Sequence, residues 1–324
     1  MTLALQLVLY KHADVIPPLL ASLGRQTYRD WRLFVREQSG SAVEAERVRS
    51  LLDASGLPYE LEVGENLGFG TGHNRLFARH EAPYVACVNP DLEYAEDAIE
   101  RALRLFDRPE VAAVQGLLWR TDPGLGRREM IDTTGFAFHA IGDVRDRHSG
   151  ASAAAVPPAG WVLGPTGTAP FFRRSALLAA ASTHGIPFDE RFFLYREDIE
   201  LALRLARAGQ RTWFAPEVEL FHARTVRAAP TLWHRLRDET RRAPVARING
   251  YAAQWGIALM HGSWRMSARA WMRTLFTEMA RTAGLLLTPR AFFQAWKHIF
   301  RHIRSYLGSR RAYRRWPLPH DFSL

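Results

Sequence analysis

A chain of 324 residues with 47% apolar side chains has ample material for a packed core and room for one large domain or two ordinary ones. Its single cysteine, Cys87, excludes a disulfide framework and any cysteine-built zinc site, and the apolar run YVACVNP around it reads as a buried structural thiol. Charge is segregated: residues 1–222 carry 24 basic and 29 acidic side chains, a net of −5, and residues 223–324 carry 19 and 4, a net of +15. That split points to two functional parts and a polyanionic neighbour for the second.

From the N-terminus, MTLALQLVLYKH lacks the basic start and small-residue cleavage site of a signal peptide. LALQLVLY (3–10) predicts a buried strand and VIPPLLASLGRQ a helix. WRLFVREQ (31–38), YELEVGE (59–65) and YVACVNP (84–90) predict further strands, separated by helices in AVEAERVRSLLDASG and from GHNRLFARH onward. AEDAIERALRLFDRP predicts a fourth helix and VAAVQGLLW (111–119) a fifth strand. Strands alternating with helices imply parallel βαβ units in a doubly wound sheet. Ligands of such sheets bind beyond the carboxyl ends of strands, here the loops after residues 10, 38, 65 and 90. Residues 120–165 read as loop-rich, and WVLGPTGTAPFFRRSALL (161–178) returns to strand, loop, strand and helix. RTWFAPEVELFHART (211–225) predicts a strand pair carrying His222. No apolar run approaches the roughly 18 residues of a membrane-spanning helix, so the chain reads as cytoplasmic.

Four constellations carry chemistry. FDERFFLYREDIELALRLARAG (188–209) predicts a helix with Ile199, Ala202, Leu203 and Ala206 on one apolar face, Glu200 and Arg204 paired on the other side, and Gly209 at its end. Glu197 and Asp198 fall in its first turn, where acids favour the helix dipole with no further purpose or serve proton transfer. NLGFGTGHN (66–74) places Gly68, Gly70 and Gly72 between a strand and a helix, either as a plain turn or as a close backbone approach to a ligand; its spacing is not the dinucleotide fingerprint. VNPDLEY ends the most apolar strand with Asp91, a turn acid or a holder of Mg²⁺ or Mn²⁺ on a diphosphate. GPTGTAPFFRRSAL offers small residues and then Arg173 and Arg174, which suit phosphates or the surface.

Taken in order, LVLYKHADVIPPLLASLGRQTYRDWRLFV, NLGFGTGHN, NPD, IDTTGFAFHAIGDVRDR, GPTGTAPFFRRSAL, the 188–209 stretch and His222 resemble glycosyltransferase family 2 of the GT-A fold, and within it the rhamnosyltransferase-like bacterial members. The resemblance spans about residues 3–225 and implies an α/β domain over 1–225, a Rossmann-like, mostly parallel sheet, followed by a basic helical region over 226–324. It implies inverting transfer of a sugar from a nucleoside-diphosphate donor, dTDP-rhamnose being one candidate, to a glycan or polyprenyl-linked acceptor in surface polysaccharide synthesis. Asp198 would be the base, with Glu197 raising its pKa or orienting the acceptor. Asp91, in place of the family's DxD, and His222 would hold a divalent cation, Mg²⁺ or Mn²⁺, on the diphosphate. Donor contacts would come from Tyr10, Glu37, Gln38, Asn66, Gly68, Gly70, Asn74, Asn89 and Asp91, and acceptor or phosphate contacts from Gly167, Thr168, Arg173 and Tyr195. Glu37-Gln38 stands where the family usually has Asp-Asn, Lys11 where Asn is common, and Asn89 in place of the first acid of DxD. A glycosyltransferase-like scaffold that binds nucleotide or glycan without turnover is the alternative.

The tail predicts two cationic amphipathic helices. In the first, Arg265, Arg269, Arg273 and Arg281 fall on one line and Trp271, Leu275 and Met279 on another. In the second, Trp296, Ile299, Phe300, Ile303 and Leu307 share a face, with Lys297, Arg301 and Arg304 elsewhere. Such helices dock on an anionic membrane surface, here the inner face of the cell membrane, or pack on the domain or in a homo-oligomer. No nucleic-acid recognition motif accompanies the charge, so nucleic acid is not an expected partner.

Overall fold

The computed structural model describes residues 1–121, 127–140, 143–181, 185–223, 244–262, 272, 279, 282 and 289–313. The first cationic helix of the tail therefore lies outside the described residues, apart from Met272, Met279 and Thr282.

Strands β1 (Leu3–Leu9), β2 (Trp31–Glu37), β3 (Tyr59–Val63) and β4 (Tyr84–Val88) form a parallel block in the order β3-β2-β1-β4. Helices α1 (Pro17–Gly24), α2 (Ala42–Ser55) and α3 (Phe69–Phe77) connect them. β1 is buried at every position, as a central parallel strand covered on both faces must be. Gln6, its one polar side chain, is satisfied by His73 Nδ1 at 3.2 Å and His80 Nε2 at 3.0 Å. α2 begins at Ser41, whose hydroxyl accepts from Glu44 N, and ends at Gly56 with φ 64°.

Beyond β4 the sheet departs from simple parallel winding. β5 (Leu92–Tyr94) and α4 (Ala98–Arg104) lead to β6 (Val111–Arg120). The short β11 (Phe171–Arg173) inserts antiparallel between β4 and β6. β12 (Arg211–His222) then runs parallel to β6. The expected strand pair at 211–225 is one twelve-residue strand whose register against β6 shifts between Ala215 and Glu219. The stretch read as loop-rich holds β7 (Ile131–Thr133) on β6, a hairpin of β8 (Phe136–Ala140) and β9 (Asp143–Asp146), and β10 (Gly160–Val162) on β12. These strands have three to five residues, too short for a clear period of two.

Helix α5 (Arg174–Ala179) precedes α6 (Glu197–Arg207), which is covered on both sides. Leu201 and Leu205 pack toward the sheet with Val85, Cys87, Ala113 and Phe172. The apolar face read from the sequence, Ile199, Ala202, Leu203 and Ala206, packs against Ala253, Ile257 and Met260 of α7 (Pro244–His261) and Tyr306 and Tyr313 of α8 (Pro289–Tyr313). Glu200 and Arg204, expected as a pair on the side away from that face, are paired and are 0% and 2% exposed. Burial of Cys87 raises its thiol pKa, as a structural thiol requires.

The face expected on the second tail helix divides in two. Ile299 turns in toward α7 with Ala291 and Ala295, while Trp296 and Ile303 are half-buried. Phe293, Phe300 and Leu307, seven residues apart, are exposed in one line. Among the described residues no helix is long and apolar enough to cross a membrane.

Candidate active site

Strand register assembles the first half of the site. β12 pairs its last residue, His222, with Leu92 on one side and Arg120 on the other, and β7 pairs with the end of β6. Four charged groups thereby line up. Asp91 Oδ1 lies 3.2 Å from His222 Nε2, and His222 Nδ1 lies 2.8 Å from Asp132 Oδ2. Arg120 Nη2 donates to Asp132 Oδ1 at 3.4 Å. Arg120, Asp132 and His222 are all buried. Burial pulls the His222 pKa down, but the hydrogen bonds and charges of Asp132 and Asp91 outweigh it and push it up to about 9.

Among the described residues no group of three or more His, Cys, Asp or Glu side chains could hold a metal ion. A divalent cation here would therefore have Asp91 and His222 as protein ligands and take the rest from a diphosphate and water, as Mg²⁺-type sites on phosphates do. The donor set fits. Neighbouring ligands of a cation with bonds of about 2.1 Å lie about 3 Å apart, close to the Asp91–His222 separation. Asp132 on the far ring nitrogen is the usual second partner of a ligating histidine.

The second half is the start of α6. Tyr195 and Arg196 both adopt φ 69°, the left-handed region that side chains other than glycine seldom occupy. This tight reversal sets Glu197 and Asp198 as the first two helical residues. Asp198 Oδ2 accepts from Gly167 N at 3.0 Å and Oδ1 from Ile199 N at 2.8 Å. A Cβ on Gly167 would stand 2.9 Å from Asp198 Cβ, so this approach needs glycine. One residue on, Thr168 O accepts from Asn89 N at 3.2 Å. Residues 167–168 thus join the acid pair to the loop that carries Asp91.

Of the two acids, only Asp198 has a cation acting on it, the positive charge of Arg196. Burial, then the charge of Asp198, raises Glu197 to about 8. Burial raises Asp198 as well, opposed by its backbone N–H donors. The Glu197 Oε2 atom is buried without a hydrogen-bond partner among the described residues. Asp198 has two N–H donors to favour its ionised form, so Glu197 is the member that keeps a proton near neutrality.

The remaining expected residues divide. Asn66 Oδ1 accepts from Gly68 N in a local turn. The glycines and two amides, expected to face a donor, hold protein to protein. Gly68 has φ 82°, and a Cβ there would stand 2.0 Å from Phe193 O; a Cβ on Gly70 would meet Phe188 at 2.9 Å. Gln38 bonds to Leu67 N and Gly68 O, and Asn74 to Phe188 N and O. Their role is to fix the 188–193 segment that leads into α6. Arg173 is a correction. It pairs with Tyr84 at the start of β4, the end of the sheet opposite Asp91, and donates to the carbonyls of Val111 and Arg108. Arg174 beside it pairs with Glu81.

Glu37 is buried at the end of β2; Oε1 accepts from Ser39 N at 2.8 Å, and Oε2 has no partner among the described residues. Tyr10 and Tyr195 are exposed at 43% and 42%, enough to meet a ligand face. Sequence reasoning missed Arg120, Asp132 and His12. His12 Nδ1 accepts from Tyr10 N, and its pKa is lowered by burial against the opposing charges of Asp91 and Glu44. Asp132 lay within the quoted IDTTG stretch, but nothing local tied it to His222, 90 positions on.

Residues 91–306 match the model of glycosyl transferase family group 2. N-acetylglucosaminyl-diphospho-decaprenol L-rhamnosyltransferase of Mycobacterium tuberculosis is 29% identical over 184 residues, 50% of this chain and 57% of that protein. The chain thus spans little more than half the length of that curated relative. Among solved structures, mannosyltransferase PcManGT from Pyrobaculum calidifontis, in complex with GDP-Man and Mn²⁺, superposes with TM-score 0.52 at 16% identity, covering 97% of this chain and 82% of the other. S. aureus TarS 1-349 with UDP-GlcNAc gives 0.51 at 12%, covering 96% and 92%. At such identities the likeness is one of fold, the GT-A fold.

Proposed function

The chain belongs to glycosyl transferase family group 2, and from that premise we propose that it moves a rhamnosyl group from dTDP-rhamnose to a lipid-linked glycan, inverting the anomeric centre. The observation that carries this reading is the Asp198 carboxylate, held by Gly167 N and joined through Thr168 and Asn89 to the Asp91 loop. In this reading the base and the diphosphate site are linked through one short segment, and an in-line displacement would need them to approach the anomeric carbon from opposite faces. The M. tuberculosis relative supports the sugar and the acceptor class.

In the reaction Asp198 takes the proton of the acceptor hydroxyl. The acceptor oxygen forms its bond to the anomeric carbon while the bond to the β-phosphate oxygen breaks, and the nucleoside diphosphate leaves with both electrons. Glu197, protonated, keeps a second negative charge away from the base. Asp91 and His222 would hold a divalent cation, which when bound neutralises charge on the leaving diphosphate. Glu37, whose Oε2 has no partner among the described residues, would accept a hydrogen bond from the nucleoside. Tyr195 and Tyr10 offer ring faces to sugars.

The test is nucleoside-diphosphate release across a panel of dTDP-rhamnose, UDP-GlcNAc and GDP-mannose with a GlcNAc-diphospho-polyprenol acceptor, and the product's anomeric configuration by NMR. Turnover only with a different donor would overturn the rhamnosyl reading; a retained configuration would overturn the single displacement.

The site works at the inner membrane face in this reading. α8 carries no acidic residue, and its exposed line of Phe293, Phe300 and Leu307 is flanked by exposed Arg290, Lys297, Arg301 and Arg304. Each cation near an anionic leaflet contributes about 1 kcal/mol, and the aromatic rings add a salt-insensitive part. Phe293→Ser with Phe300→Ser should lower flotation with anionic vesicles and spare the melting temperature. Equal flotation of variant and wild type would remove α8 as the docking face.

A further inference from the structure

The buried pair behind His222 has no part in the chemistry above. Asp132 sits on β7, a three-residue strand on the edge of β6, and is 0% exposed. Its Oδ2 lies 2.8 Å from His222 Nδ1 and its Oδ1 accepts from Arg120 Nη2. Arg120 is held in turn by Ser149 Oγ at 3.4 Å and, through its backbone N–H, by Met130 O at 2.9 Å. The row therefore starts in a closed strand junction and ends at Asp91, whose side chain keeps 13% exposure at the mouth of the site.

We propose that Asp132, steadied by Arg120, is a positioning residue that fixes the ring of His222 so that Nε2 points at the diphosphate-bound cation beside Asp91. This rests on the reading that Asp91 and His222 hold that cation. A buried ion pair is a poor way to stabilise a strand junction, where apolar side chains do as well or better. What a carboxylate on Nδ1 does uniquely is hold that nitrogen protonated and set the ring plane, which leaves the Nε2 lone pair for a ligand. The register of β12 decides where His222 lies, and Asp132 decides which way its ring faces. Residues 120 and 132 thereby join the donor site although neither reaches the donor.

The experiment measures Mn²⁺ binding to the full chain by electron paramagnetic resonance with dTDP or UDP present, and the nitrogen modulation that an imidazole ligand imposes on the Mn²⁺ echo. Asp132→Asn should weaken Mn²⁺ about 10- to 100-fold and diminish the modulation. Nucleotide affinity in EDTA should stay within about twofold, since the metal-free contacts are made elsewhere. The double variant Arg120→Met with Asp132→Asn, which leaves no buried charge unpaired, should show the same loss. Wild-type Mn²⁺ affinity and modulation in both variants would overturn the positioning role while leaving the cation reading standing. Absence of nitrogen modulation in the wild type would overturn the cation reading and this inference with it. Should both variants fail to fold, the wild type decides. A His222 ring that carries a proton on Nδ1 and none on Nε2, seen by NMR in the complex with Mg²⁺ and dTDP, supports the proposal, and a proton on Nε2 or an unprotonated Nδ1 overturns it.

Discussion

Helix α6 carries two buried glutamates three residues apart whose electrostatics are opposite. Glu200 accepts from Arg204 Nε at 2.9 and 2.7 Å and lies 3.3 Å from His261 Nε2; burial would raise its pKa, but Arg204 and His261 more than offset that and hold it low. Glu197 is equally enclosed, has Asp198 rather than a cation for a neighbour, and is raised to about 8. The same division separates the two halves of the site. Asp91 and Asp132 flank an imidazole, whereas at Glu197 and Asp198 burial outweighs the backbone donors and, for Asp198, the Arg196 charge. Compensated charge holds shape and ligands. Uncompensated charge has a movable proton, which structure alone gives no reason to keep.

The largest effect should come from removing proton acceptance where charge is uncompensated. Asp198→Asn keeps size and the Gly167 contact and should lower turnover by roughly 10²–10⁴, with donor affinity unchanged. Wild-type turnover should fall on the acid side through an Asp198 pKa above the ordinary aspartate range. Normal turnover in Asp198→Asn with a dead Glu197→Gln would reverse the two roles.

Next comes the compensated member. Arg204→Met strands the Glu200 carboxylate in the core and should destabilise by about 3–5 kcal/mol in urea unfolding. Adding Glu200→Gln should recover most of that. If the single variant is as stable as wild type, Glu200 tolerates burial without a counterion and the contrast along α6 collapses.

The last effect, confined to a pH window, has a sign set by linkage. A raised acid contributes its full stability below its unfolded pKa and loses it as pH climbs to the folded value, for Glu197 from 4.5 to about 8. Glu197→Gln removes that loss. Its stability relative to wild type should grow across this window and level off above it, by a few kcal/mol at about 1.4 kcal/mol per unit. A pH-independent difference would mean Glu197 is ionised and paired in the fold.

How far the site could be read depended on range along the chain. The positions of Asp91 after a strand and of the Glu197-Asp198 pair in a first helical turn were legible because strand end and helix start are local features. Gln38, Asn74 and Arg173 carry the right chemistry for ligands, yet their groups meet Leu67, Phe188 and Val111. A polar side chain near a strand end reads the same whether it faces solvent or the next segment, and only packing separates the cases.

By itself the sequence determined the alternation of strands and helices through β6, the helix at 197–207 with acids in its first turn, and the basic, acid-poor tail. All of these follow from period, capping and composition within windows of one element. Tertiary structure alone decided that β11 slips antiparallel between β4 and β6, that α7 and α8 bury Glu200 with Arg204, and that Asp132 backs His222. It also divided the apolar face of α8 into a buried half and the exposed line of Phe293, Phe300 and Leu307. Those outcomes rest on strand register and desolvation, which join residues tens of positions apart and leave no periodic trace in the chain.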